Sequence, residues 1–125
     1  MPMSPLTHSY MPIQRFENGT RFCRVLSHNG TVYLAGMTAD DTSGDIVRQT
    51  RDTLAKIERY LAMAGTDKRQ LLSAVIWLRD IADFELMNSV WDEWIDRSAM
   101  PVRATVEARL AGDAYRVEIM VTAAQ

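Results

Sequence analysis

The sequence is poor in the residues that most often announce a site. Cys23 is the sole cysteine in 125 residues, so no internal disulfide or Cys-x-x-Cys metal half-site can form, which suits a reducing, cytoplasmic setting. The two histidines, His8 and His28, are too few and too badly placed for a metal cluster. An excess of positive charge is also missing. Fourteen Lys+Arg against sixteen Asp+Glu leave a net charge of −2, so nucleic acid is not an expected partner. No apolar run approaches the roughly 20 residues a membrane span needs. Met1 to Asn18 lack the charged start and apolar stretch of a signal peptide. Glycine-rich phosphate loops, His-x-Glu-x-x-His-type helices, Gly-x-Ser-x-Gly elbows and repeats are likewise absent. What remains is 47% hydrophobic and 24% charged, ordinary for a globular domain. The length fits one domain over residues 1–125, and a sizeable active site at that size calls for help from a second subunit.

Three of the four prolines, Pro2, Pro5 and Pro12, fall in the first twelve residues, and residues 1–20 read as an irregular leader. Asn29-Gly30 then tolerates the positive φ of a tight hairpin turn and joins strands over 22–27 and 31–36. After the turn residues Asp40 to Asp45, Ile46, Thr50, Leu54, Ile57 and Leu61 recur at helical spacing, with Gly65 as the residue that ends the helix. Leu71 to Leu78 is apolar on both alternating faces, as a strand covered on both sides would be. Asp83 is the expected N-cap of a second helix carrying Phe84, Met87, Trp91 and Trp94, which breaks before Pro101. Two alternating segments follow, Val102 to Leu110 and Tyr115 to Thr122, read as a hairpin closed by Gly112-Asp113. The order β-β-α-β-α-β-β is an α+β pattern with a mainly antiparallel sheet. Two helices cover one face; the other, carrying the charges and Met120, is expected to meet solvent or another subunit.

Most polar or reactive residues have ordinary explanations. Cys23 reads as an inert strand thiol, His28 as an exposed residue beside a turn, and the eight methionines as core filling. Trp77, Trp91 and Trp94 read as core or interface anchors. The charged face of the C-terminal segments allows two readings. It is a solvated, mutually paired sheet face, or Arg103 is a guanidinium fork for a carboxylate ligand and a carboxylate such as Glu118 positions or activates water.

Set in order, these segments resemble the YjgF or Rid (reactive intermediate deaminase) family from about Arg21 to Ala124. The resemblance is carried by Asn29-Gly30-Thr31-Val32-Tyr33-Leu34-Ala35-Gly36, Gln49-Thr50-Arg51-Asp52-Thr53-Leu54 and Ala64-Gly65. It continues through Asp83-Phe84-Glu85-Leu86-Met87-Asn88, Pro101-Val102-Arg103-Ala104-Thr105-Val106-Glu107 and Val117-Glu118-Ile119. It implies a chorismate-mutase-like fold and a homotrimer with clefts between subunits. It also implies cofactor-free, metal-free hydrolysis of reactive 2-imino or 2-enamino acids to 2-oxo acids and ammonia. Arg103 would hold the substrate carboxylate and Glu118 would assist the attacking water, with Gly36 and Asn88 lining the cleft. Thr105 stands where a cysteine is common and contributes at least its backbone. Phe22 falls at a lining position usually held by tyrosine, while Ala35 and Met37 replace a serine and a glutamine, so a more apolar pocket is expected. In the expected hairpin Glu118 lies near Glu107, roughly 13 Å along the strand from Arg103, so the two would meet across a subunit boundary. Two other functions fit the same features: a trimeric metabolite-binding or regulatory protein for small carboxylates, and a hydrolase of a related small molecule in a catabolic pathway.

Overall fold

The computed structural model describes residues 12–125; His8, Pro2, Pro5 and the rest of the first eleven residues lie outside them. The described residues form one six-stranded sheet with two helices on one face. The strands are β1 (Gln14–Asn18), β2 (Cys23–His28), β3 (Thr31–Leu34), β4 (Leu71–Leu78), β5 (Val102–Glu107) and β6 (Val117–Ala124). The helices are α1 (Ile46–Met63), between β3 and β4, and α2 (Phe84–Trp94), between β4 and β5. The α+β class and the mainly antiparallel pairing stand, with the sheet order β1-β2-β3-β6-β4-β5 and β4–β5 as the parallel pair.

Local chemistry accounts for most boundaries. Asn29 and Gly30 both adopt positive φ, 51° and 81°, which is what a two-residue turn matched to strand twist requires. Asp45 caps α1 through its side chain, accepting from Arg48 N at 3.0 Å. At the other end Gly65, at φ 78°, donates to Ala62 O while Thr66 donates to Leu61 O, both at 3.0 Å. These paired bonds satisfy the last carbonyls of the helix. Ile46, Leu54, Ile57 and Leu61 of α1 and Met87, Val90 and Trp91 of α2 pack onto Val25, Val32, Ile76, Leu78 and Ile119 of the sheet.

Three expectations change. First, part of the stretch read as leader is strand β1: Phe16 pairs with Val25 and packs against the core. Its sequence, Gln-Arg-Phe-Glu-Asn, holds a single apolar residue, as an edge strand with little to bury can. Second, β5 and β6 do not form a hairpin, because β4 lies between them, parallel to β5 and antiparallel to β6. A strand apolar on both faces is best covered at the centre of the sheet, and a β5–β6 hairpin would leave it on an edge. Third, β5 faces the other way. Pairing Ala74 with Arg103 and Ile76 with Thr105 puts Arg103 and Thr105 on the helix side. Val102 is left 74% exposed on the open face. Asp83 stands at the expected N-cap position. It makes no side-chain capping bond and instead accepts from Arg116 Nη2 at 3.0 Å.

Gln49 ties the loops to the helix layer. Its buried Nε2 lies 3.0–3.2 Å from the carbonyls of Thr42, Gly44 and Ala114, and its Oε1 accepts from Arg116 N at 2.9 Å. This places the chain entering β6, and with it Glu118. Gln49→Ala would leave several of these buried backbone groups without partners. We expect a loss of about 2–4 kcal/mol, readable as a lower urea midpoint with an unchanged m-value.

Candidate active site

The sheet separates the residues that sequence reasoning singled out into two groups. The first lies between β5 and α2. Arg103 stands on the outermost strand, on the helix side, with its guanidinium carbon 5.1 Å from the centre of the Trp91 ring. Thr105 follows two residues later on the same side, and Asn88 lies one turn before Trp91 on α2. Asn88 Oδ1 and Thr105 Oγ1 are both buried and lack a hydrogen-bond partner, an arrangement native structures seldom leave unexplained. Burial pushes the Arg103 pKa down, and the charge of Asp92 opposes that shift.

The second group lies on the open face. The burial alternation of β6 turns Val117, Ile119 and Val121 into the core and Glu118, Met120 and Thr122 outward. Burial pushes the Glu118 pKa up, the direction expected when a carboxylate loses water without gaining a cation. Gly36 makes that position possible: a Cβ built there would fall on Glu118 Oε2 and lie 3.1 Å from its carboxyl carbon. Just beyond Gly36, Met37 and Ile119 exchange backbone hydrogen bonds of 2.8 and 2.9 Å, holding this segment against β6. Lys56 steadies the chain that follows, donating to Thr38 O and Asp40 Oδ1. Phe22 precedes β2, exposed, with Arg24 over its ring at 5.4 Å. Ala35 N bonds Arg24 O, so Phe22 lies level with the Gly36–Met37 segment. Gly36→Ala should therefore displace the Glu118 carboxylate and lower turnover by roughly ten-fold or more, an effect of misplacing a reacting group, with a circular-dichroism spectrum like that of wild type.

Arg103 and Glu118 are not brought together within one chain. Through β4, Arg103 is level with Val121 and Glu118 with Val106. They are thus three residues and two strands apart, about 14 Å from the spacings of a sheet, and on opposite faces. The separation inferred from the expected hairpin persists, although its geometry is different. The ion pairs among the described residues use neither of them. Met37 is fully buried in the core, so its replacement of a polar residue does not line the Glu118 face as expected. Trp91, expected as a core or interface anchor, also meets Arg103, a contact for which its three-residue spacing from Asn88 is the available sequence signal. No group of three or more His, Cys, Asp or Glu among the described residues is placed to hold a metal ion.

The chain is thus a six-stranded α+β domain with Arg103 at one sheet edge and a partly desolvated Glu118 on the opposite face. The chain is a member of the YjgF/Rid family: residues 12–125 match the family model described as Endoribonuclease L-PSP. It is 43% identical over 112 residues to a RutC family protein of Haemophilus ducreyi, covering 90% of this chain and 96% of that one. It is 40% identical to the RutC family protein YoaB of Escherichia coli, over 91% of this chain and 99% of that one. A 2-iminobutanoate/2-iminopropanoate deaminase of goat is 30% identical over 101 residues, 76% of this chain and 73% of the relative. Among solved structures, a YjgF-family protein of Neisseria meningitidis superposes with a TM-score of 0.90 at 43% identity, over 93% and 97% of the two chains.

Proposed function

We propose that the chain assembles as a homotrimer and hydrolyses 2-imino (2-enamino) acids to 2-oxo acids and ammonia, with Arg103 of one protomer and Glu118 of a neighbour at each site. The observation that carries this reading is the split itself. The Arg103 guanidinium, without an ion pair among the described residues, and the desolvated Glu118 carboxylate occupy different patches of one chain, and a second copy would bring them to one site. Different patches meeting head to tail form a ring when the rotation closes. The open face suits such contact: Tyr33, Leu72, Val102, Val106 and Met120 are exposed there, forming an apolar surface that a lone domain rarely leaves uncovered. Arg103 lies on the edge strand β5, where it can overhang a neighbour's open face. Light scattering should give three times the 14.2 kDa chain mass, and a stable monomer would count heavily against the assembly.

The chemistry asks little of the protein. Arg103 binds the substrate carboxylate through a charge-assisted fork. The protonated imine carbon is already electrophilic, so Glu118 needs only to orient one water and accept its proton as the C–O bond forms. Burial, by raising the pKa of Glu118, strengthens it as a base. Glu118 then returns that proton to the amine nitrogen and takes the one on the new hydroxyl as the C=O bond forms and the C–N bond breaks; a 2-oxo acid and ammonia leave, and the proton carried in by the iminium is released to water. Ribonuclease activity, which the family description names, calls for a cationic track along phosphates. The net charge of −2 and the Asp92 charge acting on Arg103 do not favour that.

The test is to generate 2-iminobutanoate enzymatically and follow its decay with and without the protein. Accelerated decay supports the hydrolase. Tight binding of 2-oxobutanoate without acceleration would instead favour a small-carboxylate binding or regulatory protein.

A further inference from the structure

A carboxylate can hold an arginine in place through a bidentate, charge-assisted pair. Arg103 has none at ion-pair distance among the described residues. What it has is a ring: its guanidinium carbon lies 5.1 Å from the centre of Trp91, within the roughly 6 Å at which the face of an indole attracts a cation. Trp91 is itself 6% exposed. It is fixed between the α2 core contacts and the neighbouring Trp94 ring, whose centre is 5.5 Å away. A buried aromatic face of this kind orients the guanidinium without neutralising it or occupying its N–H groups, which stay free for a ligand. The same surroundings leave Asn88 Oδ1 and Thr105 Oγ1 unpartnered, so this part of the chain has hydrogen-bonding capacity in reserve beside a fixed cation.

We infer that Trp91 is a positioning residue for Arg103, taking the place that a structural carboxylate holds elsewhere and keeping the guanidinium directed for a carboxylate ligand. The inference rests on the reading of Arg103 as the carboxylate clamp. Trp91 acts through Arg103 and touches no reacting atom, so it sets affinity for the carboxylate and leaves proton transfer at Glu118 alone. Indole attracts cations more strongly than a phenyl ring, and leucine has no ring face, which orders the variants.

The experiment measures the Kd of 2-oxobutanoate by calorimetry, and KM and kcat for 2-iminobutanoate, in five proteins: wild type, Trp91→Phe, Trp91→Leu, Val90→Ala and Arg103→Ala. Val90 is buried in the same helix, so its truncation loosens α2 without removing the ring. Trp91→Phe should weaken binding roughly three-fold and Trp91→Leu roughly ten-fold. KM should rise in parallel, while kcat and its pH profile stay unchanged. Val90→Ala should lower Tm and bind as wild type does. If Trp91→Leu does not fold, Trp91→Phe alone carries the comparison. Wild-type affinity in the folded Trp91 variants, with binding lost in Arg103→Ala, would overturn the positioning role and leave the carboxylate clamp standing. Equal weakening in Val90→Ala would overturn it too, by showing that helix packing alone sets affinity. Unchanged binding in Arg103→Ala would overturn the clamp reading itself, and the inference with it.

Discussion

Arg103→Ala is expected to lower kcat/KM for 2-imino acid hydrolysis by about 10²–10³-fold, the scale of losing a charged two-point hydrogen-bonded contact worth about 3–4 kcal/mol. Most of the loss should appear in KM and in the Kd of 2-oxobutanoate, because the carboxylate is bound in the ground state as well as in the transition state. Folding should be little affected, since Arg103 lies on an edge strand and anchors no ion pair among the described residues. Arg103→Lys should recover only a fraction of the activity. An ammonium keeps the charge but does not offer the planar fork. Steady-state kinetics and calorimetry on the three proteins check this; wild-type kinetics in Arg103→Ala would remove the carboxylate clamp from the account.

Glu118→Gln should show the opposite division, with kcat down about 10²-fold or more and KM nearly unchanged, as for removal of a general base. The pH dependence follows from the direction of the Glu118 shift. The wild-type kcat should rise with pH through a pKa above the ordinary glutamate value and then level off, because the base must be deprotonated. In Glu118→Gln that limb should vanish. Stability runs the other way. Burial raises the folded-state pKa above that of the unfolded chain, so the folded state binds the extra proton within that window. Wild-type stability therefore falls as pH rises from the ordinary value through the raised one. Glu118→Gln should accordingly melt at a higher temperature than wild type at neutral pH, and should lose that advantage below the ordinary glutamate value. A Tm that drops on substitution at neutral pH would show that the carboxylate makes stabilising contacts instead.

Much of this arrangement was legible from residue chemistry. Asn29-Gly30, Asp45 and Gly65 announce a turn and two helix ends because each meets a local backbone demand that few other residues satisfy. Leu71 to Leu78, apolar on both alternating faces, announced a central strand, although only its helix side is buried and Ser73, Val75 and Trp77 on the open face are half-buried. Local patterning could not say which strands flank it. Val102 to Leu110 and Tyr115 to Thr122 alternate as a hairpin would, and only competition for the two sides of β4 separates them. The same limit reversed the facing of β5: period-two alternation identifies two faces but not which of them the helices cover. β1 escaped notice because an edge strand with one apolar residue has almost no pattern to read. Within the site, Arg103 and Glu118 stood out through the family resemblance and through their charge on otherwise apolar strands. Trp91 did not, because a tryptophan at helical spacing looks the same in sequence whether it fills a core or supports a cation.

The central claim is that each site draws Arg103 from one protomer and Glu118 from another. Complementation between two inactive variants tests it most directly. Arg103→Ala and Glu118→Gln proteins would be mixed in equal amounts, dissociated and allowed to reassemble, and assayed on 2-iminobutanoate. If the site is shared head to tail, random reassembly should make about one quarter of the interfaces fully native, because each needs an intact arginine from one chain and an intact glutamate from the next. Activity should then recover to about that fraction of wild type. Activity that stays at the level of the separate variants, in reassembled oligomers of native size, would contradict the shared site.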